Sequence, residues 1–400
     1  MLKVALVSAA YPPYSFGGID MQTYDLAHGL SHEGVDVTVF CGHAKQPTLI
    51  QENRNLRICR LSLYDVPPRV LSFQLRNLAF FKNNLRNFDL IHTQHSSGSV
   101  IGLVKKQIGK PWIVSFHDHQ LRRLSIALSS KPWDMNLGDM LFFTAGYPLF
   151  EFMTRIETKY ADHYIACGFS GLQDYIRFSK MNVNKTTLIQ NGIDLAKIES
   201  AARSFKKTRN DHKQDSRLTI FTCGRLYTSK GIQYLIRAMT NVVKNFPDVH
   251  LKIFGKGPLC SRLETLINAL GLSNNVSLEG HVPYDRLMYE LSRCDLAVFP
   301  SLIEVGASLA VMEAMGFRKT VVAFKYPFTT EIIDHMRTGY VVQPKQVEEL
   351  GEAICVLLGD RKLREKLGEN ARSKIIRDHN WSDIIKKYIQ VYRNVIEAKK

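Results

Sequence analysis

The chain twice repeats one local pattern: a short apolar run, a glycine-bearing loop, a helical stretch and a second apolar run. The first copy is Lys3 to Ser8, Gly17-Gly18, Ile19 to Ser31 and Val35 to Cys41; the second is Leu218 to Cys223, Gly224 to Gly231, Ile232 to Asn245 and His250 to Phe254. A run that is apolar throughout suits a strand covered on both faces, and a strand, helix, strand order returns the chain parallel to itself. Each copy predicts a βαβ unit, and the two together predict two Rossmann-like halves. In the second copy Ile232, Leu235, Ile236, Met239, Val242, Val243 and Phe246 fall on one helical face, the clearest periodicity in the chain.

Further strands fit Leu90 to His92, Trp112 to Phe116, His163 to Ala166, Val276 to Leu278, Leu296 to Phe299 and Thr320 to Ala323, with helical stretches between them. That alternation implies parallel sheets covered by helices. At 400 residues the chain suits two domains. The segment from 196 to 216 is crowded with charged residues and poor in large apolar ones, so it reads as a linker between an N-terminal domain, 1–195, and a C-terminal domain, 217–380. Residues 381–400 read as an amphipathic helix whose own pattern leaves its packing partner open.

A formal net charge of +16 calls for an anionic partner: nucleic acid, a membrane surface or a phosphorylated substrate. The basic residues are spread along the chain and no base-recognition motif appears, which speaks against nucleic acid. The seven cysteines form no CxxC pair and read as buried free thiols of a reducing compartment. The apolar start, Val4 to Ala10, runs straight into Pro12-Pro13 and Gly17-Gly18, so it reads as a first strand and its loop rather than a leader, and the expected location is cytoplasmic.

The chemistry gathers at loops that follow strands. After Leu296 to Phe299 come Pro300-Ser301, Glu304, the small residues Gly306, Ala307 and Ser308, and then Glu313 among helix formers. Amides at a helix start attract an anion, and two carboxylates accept from hydroxyls on either side of it, as a nucleotide sugar requires. Gly224-Arg225 through Lys230-Gly231 joins a strand to a helix and flanks that helix start with two cations, a clamp for a diphosphate; the spacing is not that of a P-loop. Gly255 and Lys256 add flexible backbone and a third cation at the end of the His250 to Phe254 strand. Gly17-Gly18 marks a close backbone approach or a positive φ, without the GxGxxG fingerprint of dinucleotide sites. His117 and His119 share a strand face, and the functional reading of His117 is a partner for substrate hydroxyls; no third residue at a defensible spacing completes a metal site. Asn191-Gly192 reads as a tight turn. Met140 to Met153 reads as a core helix pair broken at Gly146 and Pro148, or as a greasy acceptor or membrane-facing patch amid Arg122, Arg123, Lys131, Arg155 and Lys159.

With these residues in this order, the chain resembles the retaining GT-B glycosyltransferases of family 4 over nearly its whole length. The resemblance rests on Gly17-Gly18, His117-Asp118, Asn191 to Asp194, Gly224-Arg225 through Lys230-Gly231, Gly255 to Pro258, Glu279 to Val282, and Pro300-Ser301 through Glu304, Glu313 and Ala314. It implies an α/β fold of two Rossmann-like domains facing across a cleft, with the terminal helix crossing back. It further implies that Arg225 and Lys230 hold the donor diphosphate, Glu313 the ribose, and Glu304 the transferred sugar, with His117 and Gly17-Gly18 meeting the sugar from the N-terminal domain. One departure stands out. Eight residues separate Glu304 from Glu313, where the family usually has seven, and Val305-Gly306-Ala307 replaces its Gly-Phe-Gly, so the loop bulges or the sugar contacts shift.

The expected activity is therefore transfer of a hexose, with anomeric configuration kept, from a nucleoside diphosphate sugar to a glycan or lipid-linked acceptor. Arg225 and Lys230 can neutralise the diphosphate, so no cofactor and no metal is expected, and the basic N-terminal domain is expected to touch a membrane peripherally. A double displacement through Glu304 stays open. The competing readings are a non-catalytic nucleotide or carbohydrate-binding protein, and an epimerase or phosphorylase on the same architecture.

Overall fold

The computed structural model describes residues 1–15, 17–63, 69–117, 146–208, 217–302 and 308–400. Of these, residues up to 191 together with 381–400 form one compact unit, and residues from 192 to 380 form the other.

The first unit is built on β1 (Lys3–Val7), β2 (Asp36–Ala44), β3 (Thr48–Asn53), β4 (Leu56–Ser62), β5 (Leu90–Gln94), β6 (Trp112–Phe116), β7 (His163–Ala166) and β8 (Thr186–Leu188). They lie in the order β3-β4-β2-β1-β5-β6-β7-β8, all pairs parallel except β3 with β4. β1 is central because Val4 to Val7 are apolar on both faces and fully covered. The sheet runs one way to β2 and the other way to β5 from there, so its strand order reverses at β1.

The second unit carries β9 (Thr219–Cys223), β10 (His250–Phe254), β11 (Val276–Gly280), β12 (Leu296–Phe299), β13 (Val321–Phe324) and β14 (Tyr340–Val342). Their order is β11-β10-β9-β12-β13-β14, every pair parallel. Counted from β9 this is the Rossmann order 3-2-1-4-5-6. Helices cover both faces. The helix Ile232–Asn245 buries Ile232, Leu235, Ile236, Met239 and Val242 on one side with Leu350 and Ile354, while Met288, Leu291, Met312 and Met315 fill the other.

The C-terminal helix, Trp381–Glu397, belongs to the first unit: Ile384, Ile385, Tyr388 and Tyr392 pack with Leu26 and Leu30 of the helix Gly18–His32. The two helices touch at Gly29, where an added Cβ would lie 2.6 Å from the Ile385 side chain.

One expectation needs correction. The helix Leu195–Thr208 stands where a linker is expected to begin: Ile198 and Ala202 are buried in the second unit, and Glu199 pairs with Arg372 at 2.8 Å, while Arg203 and Lys206 face solvent. A narrow apolar stripe on a highly charged helix is easily read as no stripe at all. Pro148 stands in the first turn of the helix Tyr147–Tyr160, where a missing N–H leaves no bond unmade, while residues 140–145 of the expected helix pair lie outside the described residues. Gly17 has φ −68° and Gly18 is helical, so neither uses the positive φ that glycine permits. All seven cysteines are free, Cys41, Cys59, Cys167 and Cys294 being buried. No helix among the described residues is long and apolar enough to cross a membrane.

Candidate active site

Strand order reverses in the second unit between β9 and β12, and in such sheets ligands bind beyond the carboxyl ends of the strands at that point. The chain leaves there through the loop Gly224–Gly231, after β9, and through Pro300 to Leu302, after β12. They are joined: the Leu302 N–H donates to the Ser229 carbonyl at 2.8 Å. Gly231, at φ +65°, starts the helix Ile232–Asn245, and a Cβ there would lie 1.9 Å from the Pro300 carbonyl oxygen. The loop after β10 joins the same layer. Leu226 N–H donates to the Lys256 carbonyl at 3.0 Å, and at Gly255, φ +138°, a Cβ would lie 1.9 Å from the Gly224 oxygen. These glycines are required because three backbones meet where no side chain fits.

On this layer Arg225 is exposed, its Cζ 5.5 Å from the centre of the Tyr227 ring. The stem of Lys230 lies across Gly224, its carbons 3.8 Å from where a Cβ would be. Both cations thus rise from one loop at the switch point. Lys256 is exposed and leans toward Gly280, at the end of β11. Ser308 is the N-cap of the helix Leu309–Gly316, its carbonyl accepting from Met312 at 3.1 Å. Glu313 sits one turn into that helix, half-buried, and its Oε1 accepts from the Tyr284 hydroxyl at 2.7 Å. Tyr284 opens the helix that follows β11, and Lys197 Nζ lies 5.9 Å from its ring centre. Sequence reasoning missed Tyr284, although it follows Glu279 to Pro283 directly; only the tertiary contact reveals it. Glu304, Gly306 and Ala307 lie outside the described residues, as do Asp118 and His119.

In the first unit, Gly17 is the N-cap of the helix Gly18–His32 and donates to Asp20 Oδ2 at 2.9 Å. Among the described residues an added Cβ at Gly18 would meet no atom within 4 Å. His117, just past β6, is buried, and its Nε2 lies 2.8 Å from Gln94 Oε1 at the end of β5. Beside it His92 is bonded to Ser115 at 2.7 Å and to the Tyr392 hydroxyl at 2.6 Å. Burial, with His117 nearby, pushes the His92 pKa down to about 3. Among the described residues no three His, Cys, Asp or Glu side chains are grouped to hold a metal ion.

Residues 16–197 match the profile of Glycosyltransferase Family 4, and residues 204–374 that of Glycosyl transferases group 1. A Methanocaldococcus jannaschii protein described as an uncharacterized glycosyltransferase is 26% identical over 99% of both chains. Glycogen synthase of Mycobacterium tuberculosis is 22% identical over 98% of this chain and 94% of its own. Among solved structures, sucrose-phosphate synthase from Thermosynechococcus elongatus superposes with a TM-score of 0.81 at 22% identity, covering all of both chains. Anabaena HepE in complex with UDP and glucose gives 0.75 at 17%, over 98% of this chain and all of its own.

The fold is therefore that of a GT-B protein, two Rossmann-like α/β domains. The chain is a glycosyltransferase, related to the group 1 and family 4 glycosyltransferases.

Proposed function

We propose that the enzyme is a retaining hexosyltransferase that moves a hexose from a nucleoside diphosphate to a hydroxyl of a glycan or lipid-linked acceptor. The observation that carries this reading is the origin of Arg225 and Lys230 in one loop at the switch point of a Rossmann sheet, bonded to the loop that leads to Glu313. Arg225 and Lys230 neutralise the diphosphate, with Gly224, Gly255 and Lys256 beside it. Glu313 accepts from the ribose hydroxyls while Tyr284 fixes its Oε1. Glu304, Gly306, Ala307 and Ser308 are assigned to the transferred sugar, as are His117 and Gly17-Gly18. That HepE was solved with UDP-glucose supports a nucleotide-sugar donor.

As the bond from the sugar C1 to the diphosphate oxygen breaks, negative charge grows on the leaving group, so fixed cations there favour the transition state over the ground state. The acceptor oxygen bonds to C1 on the face the diphosphate leaves, and its proton passes to a diphosphate oxygen. The two basic side chains fill the role that a divalent metal would otherwise take. The enzyme works in the cytoplasm and touches the membrane through its basic first unit, where exposed Phe152 is followed on the same helix by exposed Arg155. Vesicles containing anionic lipid should retain it more than neutral ones.

The test is incubation with UDP-, GDP- and ADP-hexoses and a panel of glycan and lipid-linked acceptors. Release of nucleoside diphosphate, a product with the donor's anomeric configuration by NMR, and undiminished turnover in EDTA are expected. An inverted product would contradict retention, and a protein that binds but turns over no donor would contradict catalysis.

A further inference from the structure

The chemistry of the acceptor can be taken further, on the basis of the function just proposed. At the carboxyl edge of the first unit's sheet, on the other side of β1 from His117, β4 carries Arg60 opposite Cys41 of β2. Arg60 is only 5% exposed. Its Nη2 donates to the Pro12 carbonyl, and its Cζ lies 4.9 Å from the Tyr14 ring centre and 5.8 Å from that of Tyr11. Among the described residues its Nη1 is buried without a partner, and so is the hydroxyl of Tyr11, a residue with no exposure at all. Among the described residues no carboxylate pairs with Arg60.

A buried guanidinium without an anion is costly, and here it stands next to a second unanswered polar group. What two neighbouring donors lack is an acceptor, and an oxyanion accepts from an Arg fork and a hydroxyl together. The cover over the guanidinium differs in kind from the groups below it. Tyr14 is 61% exposed and stacks on His43 at 5.1 Å, so it can swing aside without unpacking a core. His43 in turn sits at φ +79° where the pairing of β2 with β4 is irregular, between Cys41 and Ala44. Such bulges and left-handed non-glycine residues concentrate at functional sites. Tyr14 lies three residues before Gly17, which is assigned above to sugar recognition.

We propose that Arg60 and Tyr11 form an anion subsite, covered by Tyr14, that takes the phosphate or carboxylate of an anionic acceptor sugar. A neutral acceptor leaves both donors unanswered, and an anionic one supplies the missing oxygens. The subsite therefore selects for charge on the acceptor.

The probe is a Tyr14→Trp variant of the full chain, whose new indole lies over the guanidinium. Its emission is titrated with inorganic phosphate and separately with acetate at constant ionic strength, the parent protein giving the background of the native tryptophans. A saturable change is expected, weakened about tenfold or more by Arg60→Gln in the same background, as for loss of a charged hydrogen bond. Tyr11→Phe, which removes one hydroxyl and keeps the ring, should weaken it several-fold and serves if Arg60→Gln fails to fold. Lys230→Ala should leave the response intact, separating it from phosphate bound at the donor loop. A stronger response to phosphate points to a phosphorylated acceptor, and one to acetate points to a uronic acid. Absence of a saturable response to both anions, or a response unchanged by Arg60→Gln and Tyr11→Phe, overturns the subsite and leaves a bridging water as the occupant. Thermal shift with nucleoside diphosphates runs alongside: anion binding at Arg60 without any nucleotide response would overturn the proposed nucleoside diphosphate donor while sparing the subsite.

Discussion

Leu302 N–H and the Ser229 carbonyl, 2.8 Å apart, bond the loop after β12 to the loop after β9, so the segment bearing Arg225 and Lys230 cannot shift independently of the segment leading to Glu313. Gly231 makes that approach possible. In Gly231→Ala the new methyl would meet the Pro300 carbonyl, 1.9 Å from its Cβ, at a φ of +65° that disfavours alanine. A loss of about 1–3 kcal/mol in stability is expected, with weaker nucleotide binding, read by denaturant melts and calorimetry. Unchanged binding would show that the two loops act separately.

Lys230→Ala removes a cation whose stem rests on Gly224 and fills no core. Its expected effect is a fall in kcat of about 10²–10³-fold with an unchanged circular dichroism spectrum, the size seen when a single charge-stabilising donor is removed. A variant that only raised KM would show that Lys230 holds substrate and transition state equally.

Tyr284→Phe leaves Glu313 without its 2.7 Å hydrogen bond at Oε1. Nucleotide affinity should fall about 3–10-fold, as for one ordinary hydrogen bond, with kcat nearly unchanged. A deoxyribose donor separates the roles, because, on the proposed assignment of Glu313 to the ribose, the penalty of the substitution should shrink when that hydroxyl is absent.

Two buried groups give the first unit a pH dependence of known sign. Burial pushes Glu157 up to about 8, although its Oε2 accepts from the Ser96 amide at 3.2 Å. Between its ordinary 4.5 and 8 the folded chain keeps a proton that the unfolded chain has released, so stability declines as pH rises through that window. His92 acts oppositely. Folded it stays neutral down to about 3, whereas unfolded it gains a proton below 6.5, so its contribution is lost as pH falls from 6.5. Between 4.5 and 6.5 the two slopes oppose each other, so melting temperatures from pH 5 to 9 should show Glu157→Gln removing the decline between 6.5 and 8, and His92→Gln uncovering a decline with rising pH between 5 and 6.5. An alkaline decline that survives Glu157→Gln would place its origin elsewhere.

Much of this was legible in the chain. β9, β10 and β12 are apolar runs each followed directly by glycine or proline, β1 is an apolar run leading on to Pro12-Pro13, and each stands where its pattern predicts. β3 and β4 were not legible: β3 is an exposed polar edge strand, and Arg57 and Arg60 interrupt the apolar residues of β4. The arginines are tolerated because one pairs with Asp36 and the other lies under tyrosine rings, contacts no local pattern announces. The helix Leu195–Thr208 hid behind its charges in the same way. At the candidate site, the sequence placed Arg225 and Lys230 in the loop after β9 and Glu313 in the helix after β12, and the structure adds the strand order that makes that location a switch point. Gln94 and Tyr284 were not legible, because each matters only through a side chain 23 or 29 residues away.

The most direct test of the donor site is titration calorimetry with UDP, GDP and ADP, each beside its nucleoside, on the native enzyme and on Arg225→Ala, Lys230→Ala and Glu313→Gln. The account predicts that the preferred diphosphate binds far better than its nucleoside, that both cation variants erase most of that difference, and that Glu313→Gln weakens nucleoside and diphosphate alike. Diphosphate affinity unchanged in both cation variants would contradict it.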